Sequence, residues 1–323
     1  MLDSDPRQSQ FILSSPAKIN LHLEILGIRP DGFHELAMVM QSVDLADTLF
    51  FKATGNSRIA LTCNNSKLVT DENNLIIQAA QLLKSRSGSP DLGAIIGLEK
   101  RIPIGAGLAG GSSNCAATLI GLNKLWNIKY TPAQLLNLAA ELGSDIPFTI
   151  KGGTQFCFGR GEVLESIDNL KTKVPKLATL IIKSPHTSIS TPWAFKQYKE
   201  VRQDQYLTEE SDFDLRRQIL RKSQLILSLQ GQAPFLSIQN DLQGIVEEYE
   251  QSVRQGLNLL KSRTESLAIA MSGSGPSLFA LFDTLESAQV AQFQLAATLR
   301  DQGYESWCTS LLSHGIHLDD CNE

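Results

Sequence analysis

The chain has 323 residues, 42% of them hydrophobic and 20% charged, with a formal net charge of −5. That length and composition predict a globular protein with a sizeable core, divided into two domains, with one large domain as the alternative. The negative balance excludes a broad nucleic-acid surface and leaves room for a local pocket that holds a small anion.

From the N-terminus, "INLHLEIL" (19–26) alternates at period two. The pattern predicts a strand with Ile19, Leu21, Leu23 and Ile25 on one face and Asn20, His22 and Glu24 opposite. "RPDGF" (29–33) reads as a turn, residues 34–53 resume extended structure, and "RIALTC" (58–63) is a further short strand. A helix is predicted over 73–88 with Gly88 as its stop. A strand over 93–102 leads into a glycine-rich loop, and a helix over 114–126 follows, with Ser112 or Ser113 placed to cap it. Thr131-Pro132 opens another helix that ends at Gly143. Residues 152–167 read as a glycine-punctuated hairpin.

Composition shifts near residue 168, so the expected domains are 1–167 and 168–323. In the second, "KVPKLATLIIKSP" (173–185) supplies a strand and 197–230 is polar, charged and helical in part. Residues 242–262 read as one amphipathic helix, and "SLAIAMSGSGPSLFALFD" (266–283) as strand, glycine turn and strand. A closing helix and a last strand complete the chain.

The loop "PIGAGLAGGSS" (103–113) contains G-x-G-x-x-G, a weak signal by itself. A dinucleotide site also wants an acid about 20 residues on, and no Asp or Glu occurs between Glu99 and Glu141. The G-K-[ST] ending of a Walker A loop is missing, as are the lysine and aspartate motifs of protein kinases. What persists is physical: small residues feeding a helix N-terminus expose backbone N–H groups and the positive end of a macrodipole. Lys100, Arg101, Lys124 and Lys129 give the acid-free span a local charge of +4. A phosphate cradle is the reading that uses more of these features than a tight turn does.

Lys18 falls on the polar side of the first strand and Asp145 just past a helix, in "LGSDIPF". Taken singly, they read as a solvated strand residue and a turn or cap residue. Beside a phosphate cradle they suggest phosphoryl transfer to an alcohol, in which a carboxylate accepts the hydroxyl proton and a lysine keeps that carboxylate ionised.

Three segments together resemble the GHMP kinases: "SPAKINLHLEILGIRPDGFHEL", "PIGAGLAGGSSNCAA" and "AMSGSGPSLFAL". With "LGSDIPF", "STPWAF" and "QND" they are most similar to the members that phosphorylate a cytidyl-diphosphate-linked methylerythritol, a small-molecule substrate. The resemblance covers roughly residues 14–285. It implies the α+β two-domain GHMP kinase fold: an N-terminal α/β domain like ribosomal-protein S5 domain 2, with a left-handed βαβ unit, and a C-terminal ferredoxin-like α+β domain. General packing rules favour the opposite hand for such a unit. Carried over residue by residue, it implies Lys18 and Asp145 as the catalytic pair. Pro103, Ile104, Gly105, Ala106, Gly107, Leu108, Ala109, Gly110, Gly111, Ser112 and Ser113 become the ATP-phosphate loop. Asn20, Phe33, His34, Thr191, Phe195 and Gly273 become substrate contacts, with His34 hydrogen-bonded to cytosine and Phe33 and Phe195 stacked on its ring. Position 33 is often Tyr in such enzymes; Phe keeps the π-face and loses the phenol's hydrogen bond. ATP with Mg²⁺ is implied, without an assignable metal ligand, in a monomer or weak homodimer.

Other kinases of that family, acting on homoserine or a mevalonate-type alcohol, are the nearest alternative, and a non-catalytic binding protein on the same fold is another. The five cysteines (63, 115, 157, 308, 321) are scattered and odd in number, and read as reduced thiols. His314, His317 and Cys321 lack a second ligand pair and do not read as a metal site. No apolar run reaches the roughly 18 residues that span a membrane. The acidic start "MLDSDPRQSQ" resembles neither a signal peptide nor a typical transit peptide. A cytoplasmic bacterial protein is expected, and a trimmed plastid form is also compatible.

Overall fold

Two long strands, β1 (Phe11–Ile28) and β2 (His34–Ala53), form the antiparallel hairpin on which the first sheet is built. The computed structural model describes residues 11–167, 177–233 and 237–319. The expected domain junction at 168 and Cys321 therefore lie outside the described residues. Gly32 turns the hairpin at φ +83°, a left-handed value open to glycine, and its N–H donates to the Arg29 carbonyl.

Along the hairpin Asn20 pairs with Met40 and His22 with Val39, which leaves Leu21 as an extra residue. A one-residue bulge reverses the face taken by every later side chain. The four aliphatic residues expected on one face are thus divided. Ile19 and Leu21 enter a core with Val39 and Phe279, while Leu23 and Ile25 enter another with Leu36 and Met38. Lys18, Asn20 and Leu23 come to line one cavity. Nor is the polar face solvated: Lys18 and Asn20 are 4% and 1% exposed, because the turn at Gly273 lies over them.

Strand β3 (Ile59–Cys63), helix α1 (Leu75–Ser87) and strand β4 (Ala94–Glu99) make a parallel βαβ unit. Asn74 caps α1, and Gly88 ends it in the left-handed conformation. Then come α2 (Gly110–Leu125), α3 (Pro132–Leu142), α4 (Ile146–Lys151), β5 (Thr154–Gly159) and β6 (Val163–Ser166). Helix α2 starts four residues earlier than its sequence suggests, and Ser112 and Ser113 lie inside its first turn instead of capping it. The loop's left-handed Ala109, φ 55°, takes the N-cap position. Strand β2 pairs with β4 through 48–53 and with β5 through 36–41, so the sheet forks along it.

The second domain opens with β7 (Ala178–Lys183) and continues through α5 (Thr191–Arg202), α6 (Glu210–Arg221) and α7 (Gln224–Leu229). After β8 (Gln239–Asn240) come α8 (Asp241–Tyr249), α9 (Gln251–Arg263), β9 (Ala268–Met271), β10 (Leu278–Phe282), α10 (Leu285–Asp301), β11 (Glu305–Ser310) and β12 (His317–Asp319). The sheet order β11-β7-β10-β9 is antiparallel throughout, the fourth-first-third-second arrangement of a ferredoxin-like unit. The single helix expected over 242–262 is two. Glu250 is extended (φ −114°, ψ 105°) and its carboxylate accepts the Ser252 N–H, which caps α9.

The domains share packing. Ile181, Phe279 and Leu281 of the second sheet meet Ala17, Ile19 and Val39 of the first in one core, and β12 returns to pair with β1. The polar segment is anchored by ions: Arg217 of α6 donates to Glu35 at 2.7 Å, Arg29 reaches the same carboxylate at 2.9 Å, and Arg221 pairs with Glu165 at 2.6 Å. Helix α2 in turn needs Gly121, where an added Cβ would stand 2.6 Å from the fully buried ring of Phe51. Gly121→Ala is expected to lower unfolding free energy by about 1–3 kcal/mol, read from urea denaturation. An unchanged midpoint would contradict this packing.

Candidate active site

A cavity of about 820 Å³ opens between the two domains, lined by β1, the 103–113 loop, the start of α5 and the 272–277 turn. Its size suits a nucleotide with a second substrate. Within it Lys18 Nζ donates to Asn20 Oδ1 at 2.6 Å and lies 3.4 Å from Asp145 Oδ2. The lysine side chain is 5% exposed and the aspartate side chain 31%. Ammonium burial at this depth needs a nearby anion and polar partners, and these two supply them.

Asp145 occupies the N-cap position of α4, yet its side chain makes no capping hydrogen bond and its backbone is helical (φ −81°, ψ −14°). The reading as a simple cap therefore fails, and the carboxylate faces the cavity. Among the described residues that line it, Asp145 is the one acid.

The glycine loop is held from both sides. Gly105, Gly107 and Ala109 have φ of 60°, 71° and 55°. An added Cβ at Gly107 would fall 2.3 Å from the Ser272 carbonyl oxygen, so the two glycine segments touch backbone to backbone. Ser272 Oγ donates to the Gly107 carbonyl at 3.0 Å, the Ser277 N–H to that of Ala106 at 3.3 Å, and the Lys18 N–H to that of Leu108 at 3.1 Å. No side chain among the described residues caps α2, whose first N–H groups are left for an anion. The loop thus fits a polyphosphate by its backbone.

Two of the four positive charges are paired within the fold. Asp47, fully buried, accepts from Lys100 Nζ at 2.7 Å and from the N–H groups of Arg101 and Ile102. Arg101 pairs with Glu99 at 2.8 Å, and Lys124 sits over the Phe11 ring. Burial holds the Lys100 ammonium below its ordinary pKa, against the pull of Asp47. Lys100 also reaches the Ile102 carbonyl, so it fixes the start of the loop. Asp47 and Asn114, which donates to it at 2.9 Å, were not singled out from sequence. The available signal was a pair of acids, Asp44 and Asp47, inside the otherwise apolar "VDLADTLFF", of which the fold buries Asp47.

Of the loop residues, Pro103 through Ser112 line the cavity and Ser113 does not. It is fully buried behind the helix, where Ser15 Oγ donates to it at 2.9 Å. The expected substrate contacts Asn20, Phe33, His34, Thr191, Phe195 and Gly273 all line the wall, Asn20 and Gly273 beside Lys18. Phe33 is half exposed, with the Arg160 guanidinium 4.9 Å from its ring centre. His34 lies 5.0 Å from Phe195 between ring centres, and burial, then Lys199, keeps its imidazole below the usual pKa and therefore neutral near pH 7. Thr191 Oγ1 meets Ser274 Oγ at 2.8 Å. At Gly273, φ +56°, a Cβ would stand 3.3 Å from Lys18 Nζ and 3.4 Å from Asn20 Oδ1. Arg160 and Tyr206 also escaped the sequence reading; Asn240, quoted there only within "QND", donates through Nδ2 to the Met271 and Gly273 carbonyls, both at 2.8 Å.

Gly107→Ala combines a left-handed φ with a backbone collision, so ATP affinity is expected to fall by at least about tenfold. Equilibrium binding of a non-hydrolysable ATP analogue checks this, and wild-type affinity would contradict the locked-loop geometry.

Comparison with known proteins agrees with this architecture. Residues 74–153 match the model of the GHMP kinases N terminal domain and residues 206–301 that of the GHMP kinases C terminal domain. The chain is 52% identical over 307 residues to a 4-diphosphocytidyl-2-C-methyl-D-erythritol kinase of Synechococcus sp. (strain CC9605), covering 95% of this chain and 99% of that one. A protein of the same name from Prochlorococcus marinus (strain MIT 9303) is also 52% identical, with 95% of each chain covered. The crystal structure of a 4-(cytidine 5'-diphospho)-2C-methyl-D-erythritol kinase superposes with a TM-score of 0.71 at 27% identity, over 93% of this chain and 98% of that one. With both domain models matched in order and half the residues shared with relatives along nearly its whole length, the chain belongs to the GHMP kinases.

Proposed function

We propose that the chain transfers the γ-phosphoryl group of ATP to the 2-hydroxyl of 4-diphosphocytidyl-2-C-methyl-D-erythritol, in the non-mevalonate route to isoprenoid precursors. The observation that carries the mechanism is Asp145, the single carboxylate on the cavity wall among the described residues, 3.4 Å from a buried lysine and uncommitted to capping. Its carboxylate accepts the hydroxyl proton as the substrate oxygen bonds to the γ-phosphorus and the bond to the departing ADP oxygen breaks. Lys18 compensates charge where it develops, and Asn20 Oδ1 holds the lysine in place.

The backbone of 103–112 and the uncapped start of α2 hold the ATP phosphates. Mg²⁺, which neutralises charge on the β- and γ-phosphates when bound, would come with the nucleotide. Among the described residues no group of three or more His, Cys, Asp or Glu side chains is placed to hold a metal ion by itself. At the opposite end Phe33, His34 and Phe195 supply the apolar faces and the hydrogen-bonding edge that a pyrimidine needs. The names of the relatives support a cytidyl substrate over homoserine or mevalonate.

Asp145→Asn keeps the size and polarity of the residue and removes the base. Turnover is expected to fall by about 10²–10⁴-fold with ATP binding intact. Near-wild-type turnover would overturn the assignment. Phe195→Ala is expected to raise KM for the cytidyl substrate about tenfold through lost stacking, with KM for ATP unchanged. Steady-state kinetics in both substrates separate the two, and a KM for the cytidyl substrate that does not move would contradict the pyrimidine site.

A further inference from the structure

The polar segment between α5 and α6 carries no chemistry legible in the sequence, yet it delivers one side chain to the back of the site. Tyr206 does not line the cavity; its hydroxyl lies 3.0 Å from His34 Nε2, and its ring meets the imidazole edge-on, 5.7 Å between centres. The tyrosine is itself clamped. The Leu207 N–H donates to the Leu26 carbonyl at 2.8 Å, and Tyr198 stacks on Tyr206 at 6.3 Å between ring centres. Tyr198 in turn donates to Asp241 Oδ2, which also accepts the Ile25 N–H. Burial pushes the Tyr206 phenol up to about 12, so it keeps its proton, and His34 stays neutral near pH 7. A neutral imidazole bears one proton, and the partner of one nitrogen decides which nitrogen carries it.

We infer that Tyr206 is a positioning and specificity-determining residue: its hydroxyl donates to His34 Nε2 and thereby makes Nδ1 an N–H donor toward the bound base. The inference rests on the cytidyl reading given above. A phenol donates more readily than it accepts, because its oxygen lone pair is delocalised into the ring. His34 lines the cavity and its Nε2 is taken by Tyr206, so Nδ1 is the nitrogen available to a bound base, and as a donor it matches the N3 acceptor of cytosine. Uracil carries a proton at N3 and opposes it donor to donor. Discrimination against a missing or mismatched buried hydrogen bond is the strongest kind a site can build. Tyr206 acts through His34, and the chemistry at Lys18 and Asp145 does not depend on it.

The test is ¹⁵N NMR of histidine-labelled protein together with kinetics of Tyr206→Phe. Wild-type His34 is expected to show Nδ1 protonated and Nε2 bare, and Tyr206→Phe to move the proton toward Nε2. The ratio of kcat/KM for the cytidyl substrate to that for its uridyl analogue is expected to drop about tenfold, chiefly through KM. A wild-type His34 protonated on Nε2, or an unchanged ratio in Tyr206→Phe, would overturn the inference. Absence of turnover with either nucleotide would count against the cytidyl reading itself. The tautomer measurement needs no substrate and still decides the Tyr206 contact in that event.

Discussion

The Lys18–Asp145 ion pair is the constraint around which the rest of the molecule is arranged. A lysine almost fully buried in a central strand requires an anion within reach, and a carboxylate that serves as one is not free to cap a helix. The Leu21 bulge aims Lys18, Asn20 and Leu23 into one cavity, joining a polar stretch of wall to an apolar one. Gly273 is the residue that allows the second domain's turn to lie over the ammonium group. Replacement of any of these parts would leave a buried charge unsatisfied or expose it to water.

Backbone, not basic side chains, holds the phosphate end together. The glycine loop and the 272–277 turn are in backbone contact, and the loop's entry is fixed by Lys100 on the buried carboxylate of Asp47. Of the cations clustered in the sequence, Arg101 and Lys100 are paired with Glu99 and Asp47, and Lys124 sits over the Phe11 ring. A cradle of N–H groups at a helix start binds polyphosphate without a row of lysines, consistent with a chain of net negative charge.

Much of this was legible in the sequence because it is local. Glycine spelling, the capping signal at Thr131, the Gly88 stop and the strand–turn–strand of 266–283 each depend on a few adjacent residues, and each is found in place. Lys18 and Asp145 stood out only as polar residues beside such features. What the sequence hid is non-local. The bulge at Leu21 depends on the register with β2, the pairing of Lys100 joins residues 53 positions apart, and Tyr206 reaches His34 across 172. Ser112 and Ser113 misled for a related reason: the loop's left-handed residues start the helix early and carry both serines into its first turn. The 197–230 segment was opaque because its buried apolar residues, Phe213, Leu220, Leu225, Ile226 and Leu229, are spread over two short helices whose ion-pair partners lie on distant strands.

Homoserine, a mevalonate-type alcohol and the cytidyl-diphosphate-linked methylerythritol are the acceptors the sequence left open, and only the last needs the proposed pyrimidine end of the cavity. ADP release by the wild-type protein with ATP, compared across 4-diphosphocytidyl-2-C-methyl-D-erythritol, homoserine and mevalonate, is the most direct measurement. The account predicts ADP release with the cytidyl substrate alone. Release with homoserine or mevalonate and none with the cytidyl substrate would contradict it.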